Sequence, residues 1–199
     1  MSVLLISGSP AENSRSTALL AYAGEELRKH GIATRLLAVR DLPAEDLVYG
    51  RYDSAAVRNA AELVDWAWAV VVATPIYKAA AAGVLKAFFD LLPQNALADK
   101  VVLPIGVGGS RAHLLAVDYT LKPVLQTLGA QQVLGTVYAV DSQIGVGSDG
   151  GWTIDEDIAL RLHNAVRRLV HLGRAMRPAT PHALHHDLTH LPAGRHAVA

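Results

Sequence analysis

Apolar residues along the chain follow two rhythms. Short unbroken runs, Val3-Leu4-Leu5-Ile6, Ala69-Val70-Val71-Val72-Ala73 and residues 101–107, stop at small or turn-forming residues. The stops are Ser7-Gly8-Ser9-Pro10, Thr74-Pro75 and Gly108-Gly109-Ser110. Runs of this length between such breakers predict strands buried on both faces. Residues 32–39 and 132–140 predict two more strands. The intervening segments have helical spacing. Residues 15–30 place Leu20, Ala23 and Leu27 together and end at Gly31, a C-terminal stop. Ser54 can cap a helix reaching residue 65. Residues 79–92 carry Val84, Leu85, Phe88, Leu91 and Leu92 on one side, and 111–128 form a further amphipathic segment. The last helix repeats Ile158, Leu162, Ala165, Leu169 and Leu172. Residues 40–53 and the Gly- and Asp-rich 141–151 read as connecting loops.

Strand and helix thus alternate through five β-α units. Strands apolar throughout, alternating with helices, imply a parallel sheet covered on both faces. Five units favour an α/β, flavodoxin-like doubly wound five-stranded parallel sheet of order 2-1-3-4-5. One domain is expected over residues 1–177. The tail, 178–199, holds five of the nine histidines. Acidic or cysteine partners at ligand spacing are lacking there, so a flexible tail is expected rather than a metal site.

Composition narrows the chemistry. The chain has 199 residues, 51% of them hydrophobic, a formal net charge of zero and no cysteine. Thiol catalysis, thiolate zinc sites and iron–sulfur ligation are excluded. Zero net charge with no basic face argues against nucleic-acid binding. No apolar run approaches membrane-spanning length, and the N-terminus enters a strand directly, so a cytoplasmic protein is expected.

In a doubly wound sheet, ligands bind beyond the C-terminal strand ends. Three loops converge there. The first, Ser9-Pro10-Ala11-Glu12-Asn13-Ser14-Arg15-Ser16-Thr17, opens a helix. Free N–H groups and the helix dipole favour an anion at such a place, with Ser9, Ser14, Ser16 and Thr17 as hydroxyl donors and Arg15 as the cation. The loop is neither G-x-G-x-x-G nor Walker A, and a monophosphate suits it best. The second, Thr74-Pro75-Ile76-Tyr77-Lys78, offers an aromatic face and backbone donors to a planar ring, and small residues follow it. The third, Gly108-Gly109-Ser110-Arg111, lets the backbone come close to something flat.

The segment 111–128 carries an oddity. Pro123 removes the α-helical partner of the Tyr119 carbonyl. A π-bulge absorbs such a defect, and such bulges favour functional sites; a kinked core helix with a buried tyrosine is the alternative.

Taken together, these segments resemble the NADPH-dependent FMN reductases of the flavodoxin-like superfamily, and among them the SsuE type of two-component alkanesulfonate monooxygenase systems. The resemblance rests on "GSPAENSRSTALL", "EDLVYGRYDSAAV", "VVATPIYKAAAAGVLKAFFDLLP", "KVVLPIGVGGSRAHLLAVDYTLKPVL" and Asp141-Ser142-Gln143. One departure is Ala11, where many members have arginine. The resemblance implies that Ser9, Ser14, Arg15, Ser16 and Thr17 hold the FMN phosphate. Pro75, Ile76, Tyr77 and Lys78 would border the isoalloxazine, with Gly108, Gly109 and Ser110 approaching the ring. Tyr119 matches an inserted tyrosine in a π-helical turn, linked to release of flavin at a tetramer interface. It further implies NADPH and FMN as reactants, no metal, a homotetramer (or a flavin-loaded dimer), and an FMNH2-dependent monooxygenase as recipient. No acid–base residue is expected, because hydride transfer between stacked rings needs orientation rather than a protein nucleophile. The same fold leaves two other readings open: an FMN-bound quinone, azo or chromate reductase, and a flavodoxin-like electron carrier. Zero net charge argues against the carrier.

Overall fold

The computed structural model describes residues 1–130, 132–148 and 150–175. The expected domain limit at 177 and the His-rich tail lie outside these residues. The strands in chain order are β1 (Ser2–Ser7), β2 (Ala33–Ala38), β3 (Ala69–Tyr77), β4 (Ala80–Ala81), β5 (Val101–Gly108), β6 (Gln132–Val133), β7 (Val137–Val140), β8 (Ile144–Val146) and β9 (Trp152–Ile154). The helices are α1 (Arg15–Lys29), α2 (Ala44–Tyr49), α3 (Ala55–Trp66), α4 (Gly83–Asp90), α5 (Lys122–Thr127) and α6 (Glu156–Ala175).

Parallel pairing runs β2-β1-β3-β5, and β6 and β7 both pair with β5. The architecture is the α/β doubly wound arrangement of flavodoxin-like folds. Side chains alternate across the sheet. Leu4, Ile6, Val70, Val72 and Val102 enter one core with residues of α3, α4 and α5. Val3, Leu5, Val71, Leu103 and Ile105 enter the other with residues of α1 and α6. Both faces are covered, which is why these runs lack polar alternation.

The strand list departs from five simple strands. β4 folds back antiparallel on the end of β3, pairing Ile76 with Ala81 and Tyr77 with Ala80. The fifth position is split into β6 and β7, and Pro104 supplies the reason. The Val102 carbonyl faces that edge, accepting from Leu134 N–H at 2.8 Å. Residues two apart along a strand point their backbone groups the same way, so Pro104 faces the same edge with no N–H to give. The ladder lapses opposite it, between Val102↔Val133 and Ile105↔Val137.

Four local expectations also change. Residues 40–53 are not a plain loop: a 3-10 turn, Val39–Asp41, precedes α2, which buries Leu47 and ends at left-handed Gly50. Thr74-Pro75 does not stop β3, because Pro75 keeps an extended register opposite Val107 near the end of the ladder. The helix expected from residue 79 begins at Gly83, since 80–81 are used by β4. Residues 141–151 contain a 3-10 turn, Asp141–Gln143, and β8, which pairs with β9.

Candidate functional site

At the C-terminal edge of the sheet a cavity of about 320 Å³ opens between the three loops. Its first wall is Ser9, Ala11, Asn13, Ser14, Arg15 and Ser16. The chain reaches this place because β1 ends at Ser7 and α1 starts at Arg15, leaving the loop over the helix N-terminus. Ser9 and Ser16 are each 1% exposed and Ser14 is 8% exposed. Ser14 stands at the N-cap of α1 in extended backbone, yet its side chain caps no helix N–H. Its Oγ lies 2.9 Å from Ser16 Oγ instead, and Ser9 Oγ accepts from Ala11 N–H at 3.1 Å. No acidic residue occupies the first turn of α1. Free N–H groups, buried hydroxyls and the positive end of the dipole give this wall the chemistry that suits an anion. Arg15 adds a guanidinium, and its Nε donates to Ile144 O at 3.0 Å, bracing the β8–β9 hairpin.

The second wall is Pro75, Ile76 and Tyr77, and the third is Val107, Gly108 and Gly109. Thr74, fully buried, holds the second wall: its Oγ1 donates to Pro75 O at 3.0 Å and accepts from Ala82 N–H at 3.1 Å. The turn between β3 and β4 puts Lys78 at φ 51° and Ala79 at φ 60°. Left-handed backbone costs a non-glycine residue about 1–2 kcal/mol, a strain that concentrates at functional loops. Tyr77 is half exposed. In the third wall a Cβ on Gly108 would sit 2.3 Å from Tyr138 Oη. Glycine there lets the Tyr138 hydroxyl pass beneath the strand and donate to Ser110 O at 2.7 Å. Burial, and then the charge of Asp141, push the Tyr138 phenol above its ordinary pKa, so it stays a donor.

Ser9, Ser14, Arg15, Ser16, Pro75, Ile76, Tyr77, Gly108 and Gly109 are therefore brought together around one cavity. Thr17, Lys78, Ser110 and Tyr119 do not line it. The Thr17 hydroxyl sits 2.7 Å from Ser7 Oγ and ties α1 to the end of β1. Lys78 is exposed at the hairpin tip, and Ser110 is held through its carbonyl. Ala11, Asn13, Val107 and Asp141 line the cavity although sequence reasoning assigned them no role. Asp141 was findable, since it follows the last β-α unit's strand at the same sheet edge.

Val117–Leu121 form a π turn, with Lys122 N–H bonded to Val117 O, five residues back. Val117 and Leu121 are buried, whereas Tyr119 is 75% exposed, which removes the buried-tyrosine alternative. A Cβ on Gly106 would lie 2.6 Å from Val117 Cγ2, so a glycine in β5 admits the turn. Asp118 fixes it from the other side, accepting from Thr136 Oγ1 at 2.9 Å and from Lys122 Nζ at 2.6 Å. Burial would raise the Asp118 pKa, but the bonds from Lys122 and Thr136 outweigh it and hold the carboxyl below its ordinary value. Among the described residues no cluster of His, Asp or Glu could hold a metal ion, and no helix is long and apolar enough to cross a membrane.

Comparisons with known proteins identify the family. A family model described as "NADPH-dependent FMN reductase" matches residues 1–145. A Pseudomonas putida protein named FMN reductase (NADPH) is 44% identical over 191 residues, covering 94% of this chain and 96% of the relative. An Escherichia coli protein of the same name is 49% identical over 144 residues, covering 72% of this chain and 75% of the relative. The apo crystal structure of the NADH:FMN oxidoreductase EmoB shares 38% identity at a TM-score of 0.77, covering 90% of this chain and 91% of that one. With the family model matching residues 1–145 and both relatives matched over most of their length, the chain belongs to the NADPH-dependent FMN reductases.

Proposed function

We propose that this chain reduces FMN with NADPH, treating FMN as an exchangeable substrate, and passes reduced FMN to a flavin-dependent alkanesulfonate monooxygenase. The observation that carries the reading is the uncapped N-terminus of α1, ringed by buried Ser9, Ser14 and Ser16 at one end of a cavity whose other end is glycine backbone and Tyr77. A phosphate at one end and a planar ring at the other fit that division. The balanced reaction is NAD(P)H + FMN + H⁺ giving NAD(P)⁺ + FMNH2, with the proton taken from solvent. FMN, when bound, supplies the hydride acceptor, and the protein supplies binding and orientation.

In this reading Ser9, Ser14, Arg15, Ser16 and the first N–H groups of α1 hold the phosphate, and Thr17 keeps that loop on β1. Pro75, Ile76, Tyr77 and Lys78 flank the ring. Gly108, Gly109 and Ser110, held by Tyr138, bring backbone donors to its polar edge, where they would stabilise charge. Tyr119, exposed on a π turn, assists flavin release at a contact between subunits of a homotetramer, or of a dimer when flavin is loaded. Exposed Leu114 and Leu115 beside it favour such a contact. The two curated relatives are named for NADPH and the EmoB structure for NADH; NADPH is the reductant proposed here, in a cytoplasmic enzyme.

The test is steady-state oxidation of NADPH and NADH with free FMN, FAD and riboflavin, alongside dialysis of flavin-loaded protein. Saturable NADPH oxidation that depends on added FMN, and a protein that dialyses colourless, are expected. A protein that stays yellow and prefers a quinone acceptor would instead be an FMN-bound quinone or azo reductase. One that does not oxidise NADPH with free FMN would be an electron carrier.

A further inference from the structure

We propose that Asp141 is a specificity-determining residue that weakens binding of the reduced, negatively charged flavin relative to the oxidised one, and so favours release of product. The proposal rests on the flavin-reductase reading above. Asp141 begins the 3-10 turn directly after β7 and lines the cavity beside the third loop, its Oδ2 3.9 Å from where a Cβ on Gly109 would stand. Among the described residues no hydrogen bond or ion pair engages its carboxylate, although Val140, Ser142 and Gln143 around it are ordered by the turn. Its charge reaches the Tyr138 hydroxyl, which itself supports Ser110.

The cavity offers little to offset that charge. Arg15 is the one cation among its described lining residues, and it belongs to the first wall with Nε committed to Ile144 O. Ala11 lines the same wall without charge. Lys78 and Arg111 flank the ring loops but stand outside the lining, and Glu12 meets Arg40 at 4.0 Å outside it too. Beside the third wall's backbone there is thus one exposed carboxylate that makes no ion pair among the described residues. The oxidised isoalloxazine is neutral, whereas hydride addition leaves the reduced ring negatively charged at N1 until solvent supplies the proton that makes FMNH2. A fixed negative charge at that end penalises the reduced form and leaves the oxidised form nearly untouched. Unequal binding of two redox states is, by linkage, a shift of the bound flavin's potential, so the reduced product is the one expelled.

The experiment uses the full-length protein under anaerobic conditions. Dissociation constants are measured for oxidised and for reduced FMN and riboflavin, and the potential of bound flavin is read against a reference dye. Asp141→Asn should tighten reduced over oxidised FMN about tenfold, equivalent to raising the bound potential by about 30 mV for a two-electron couple. Riboflavin should show the same ratio, because the effect is on the ring. Asp141→Glu should keep the wild-type ratio. Ala11→Arg, at the phosphate end, should tighten FMN in both oxidation states and leave riboflavin unchanged. An unchanged ratio in Asp141→Asn overturns the proposal, as does equal weakening of both oxidation states, which would make the carboxylate a hydrogen-bond acceptor for flavin. Wild-type protein that binds no flavin in either state would overturn the reductase reading, and this proposal with it; that result is distinct from a wild type that binds with an Asp141→Asn variant that does not differ.

Discussion

Helices α1 and α3 each begin after a serine in extended backbone, and the two serines behave differently. Ser54 turns its Oγ to accept from Val57 N–H at 3.2 Å and closes the end of α3. Ser14 leaves the N–H groups of α1 uncapped and pairs with Ser16. Both have the residue type that ends helices. The α3 end is finished by its own chain, while the α1 end faces a cavity with a guanidinium beside it. An uncapped end forgoes about 1 kcal/mol of local stability, and keeping it uncapped makes sense where a ligand will complete it.

The sharpest way to break this comparison is Arg15→Ala. Losing a charge-assisted hydrogen bond of about 1.5–3 kcal/mol should weaken FMN roughly tenfold to a hundredfold by calorimetric titration. Riboflavin, lacking the phosphate, should hardly change. Equal loss for both ligands would mean that Arg15 matters only as the brace on Ile144. The serines come next and should move in opposite columns. Ser54→Ala should lower unfolding free energy by about 1 kcal/mol in urea and leave FMN affinity alone. Ser14→Ala should cost FMN affinity by about fivefold, the worth of a neutral hydrogen bond, with little change in urea midpoint. If Ser14→Ala unfolds as early as Ser54→Ala, the two ends are equivalent after all.

A smaller effect concerns how α1 is held at its far end. Glu26 is 4% exposed, and bonds from Lys29 and then from His163 on α6 hold its carboxyl below the ordinary value of 4.5. A depressed carboxyl contributes stability that is present above the unfolded value and lost as pH falls through the folded one. Glu26→Gln should therefore destabilise by about 1 kcal/mol at pH 7 and flatten the loss of stability below pH 4.5. Lys29 and His163 are both partly exposed to solvent, which keeps the effect this small. The smallest change in stability is expected for Tyr119→Ala, within about 0.5 kcal/mol because the ring is exposed. Its effect should fall on flavin traffic: slower FMN dissociation in stopped flow and slower turnover. Unchanged dissociation would remove the π turn from the mechanism.

Much of the frame was legible because fully buried strands leave unbroken apolar runs, as at 69–73 and 101–107. The first-loop residues that line the cavity were legible too, since a strand stop, a run of serines and a helix start lie within a few positions of one another. The α2 helix was not, because six residues that bury little beyond Leu47 and Asp46 hardly register as a periodicity. The break opposite Pro104 was hidden for another reason. Whether a proline harms a strand depends on which neighbour its missing N–H faces, and that is a property of pairing.

By itself the sequence determined the β-α alternation, the donor-rich first loop, the Tyr77-bearing second loop, the Gly108-Gly109 third loop and the spacing that sets Pro123 against the Tyr119 carbonyl. These are local facts, carried by residue type and short-range spacing. Only the tertiary structure decided that Ser14 would leave its helix open while Ser54 closes its own, that Tyr119 stands in solvent rather than in the core, and that Asp141 joins the cavity. Each depends on which distant segments share a sheet edge, and contact across the sheet leaves no mark on neighbouring residues along the chain.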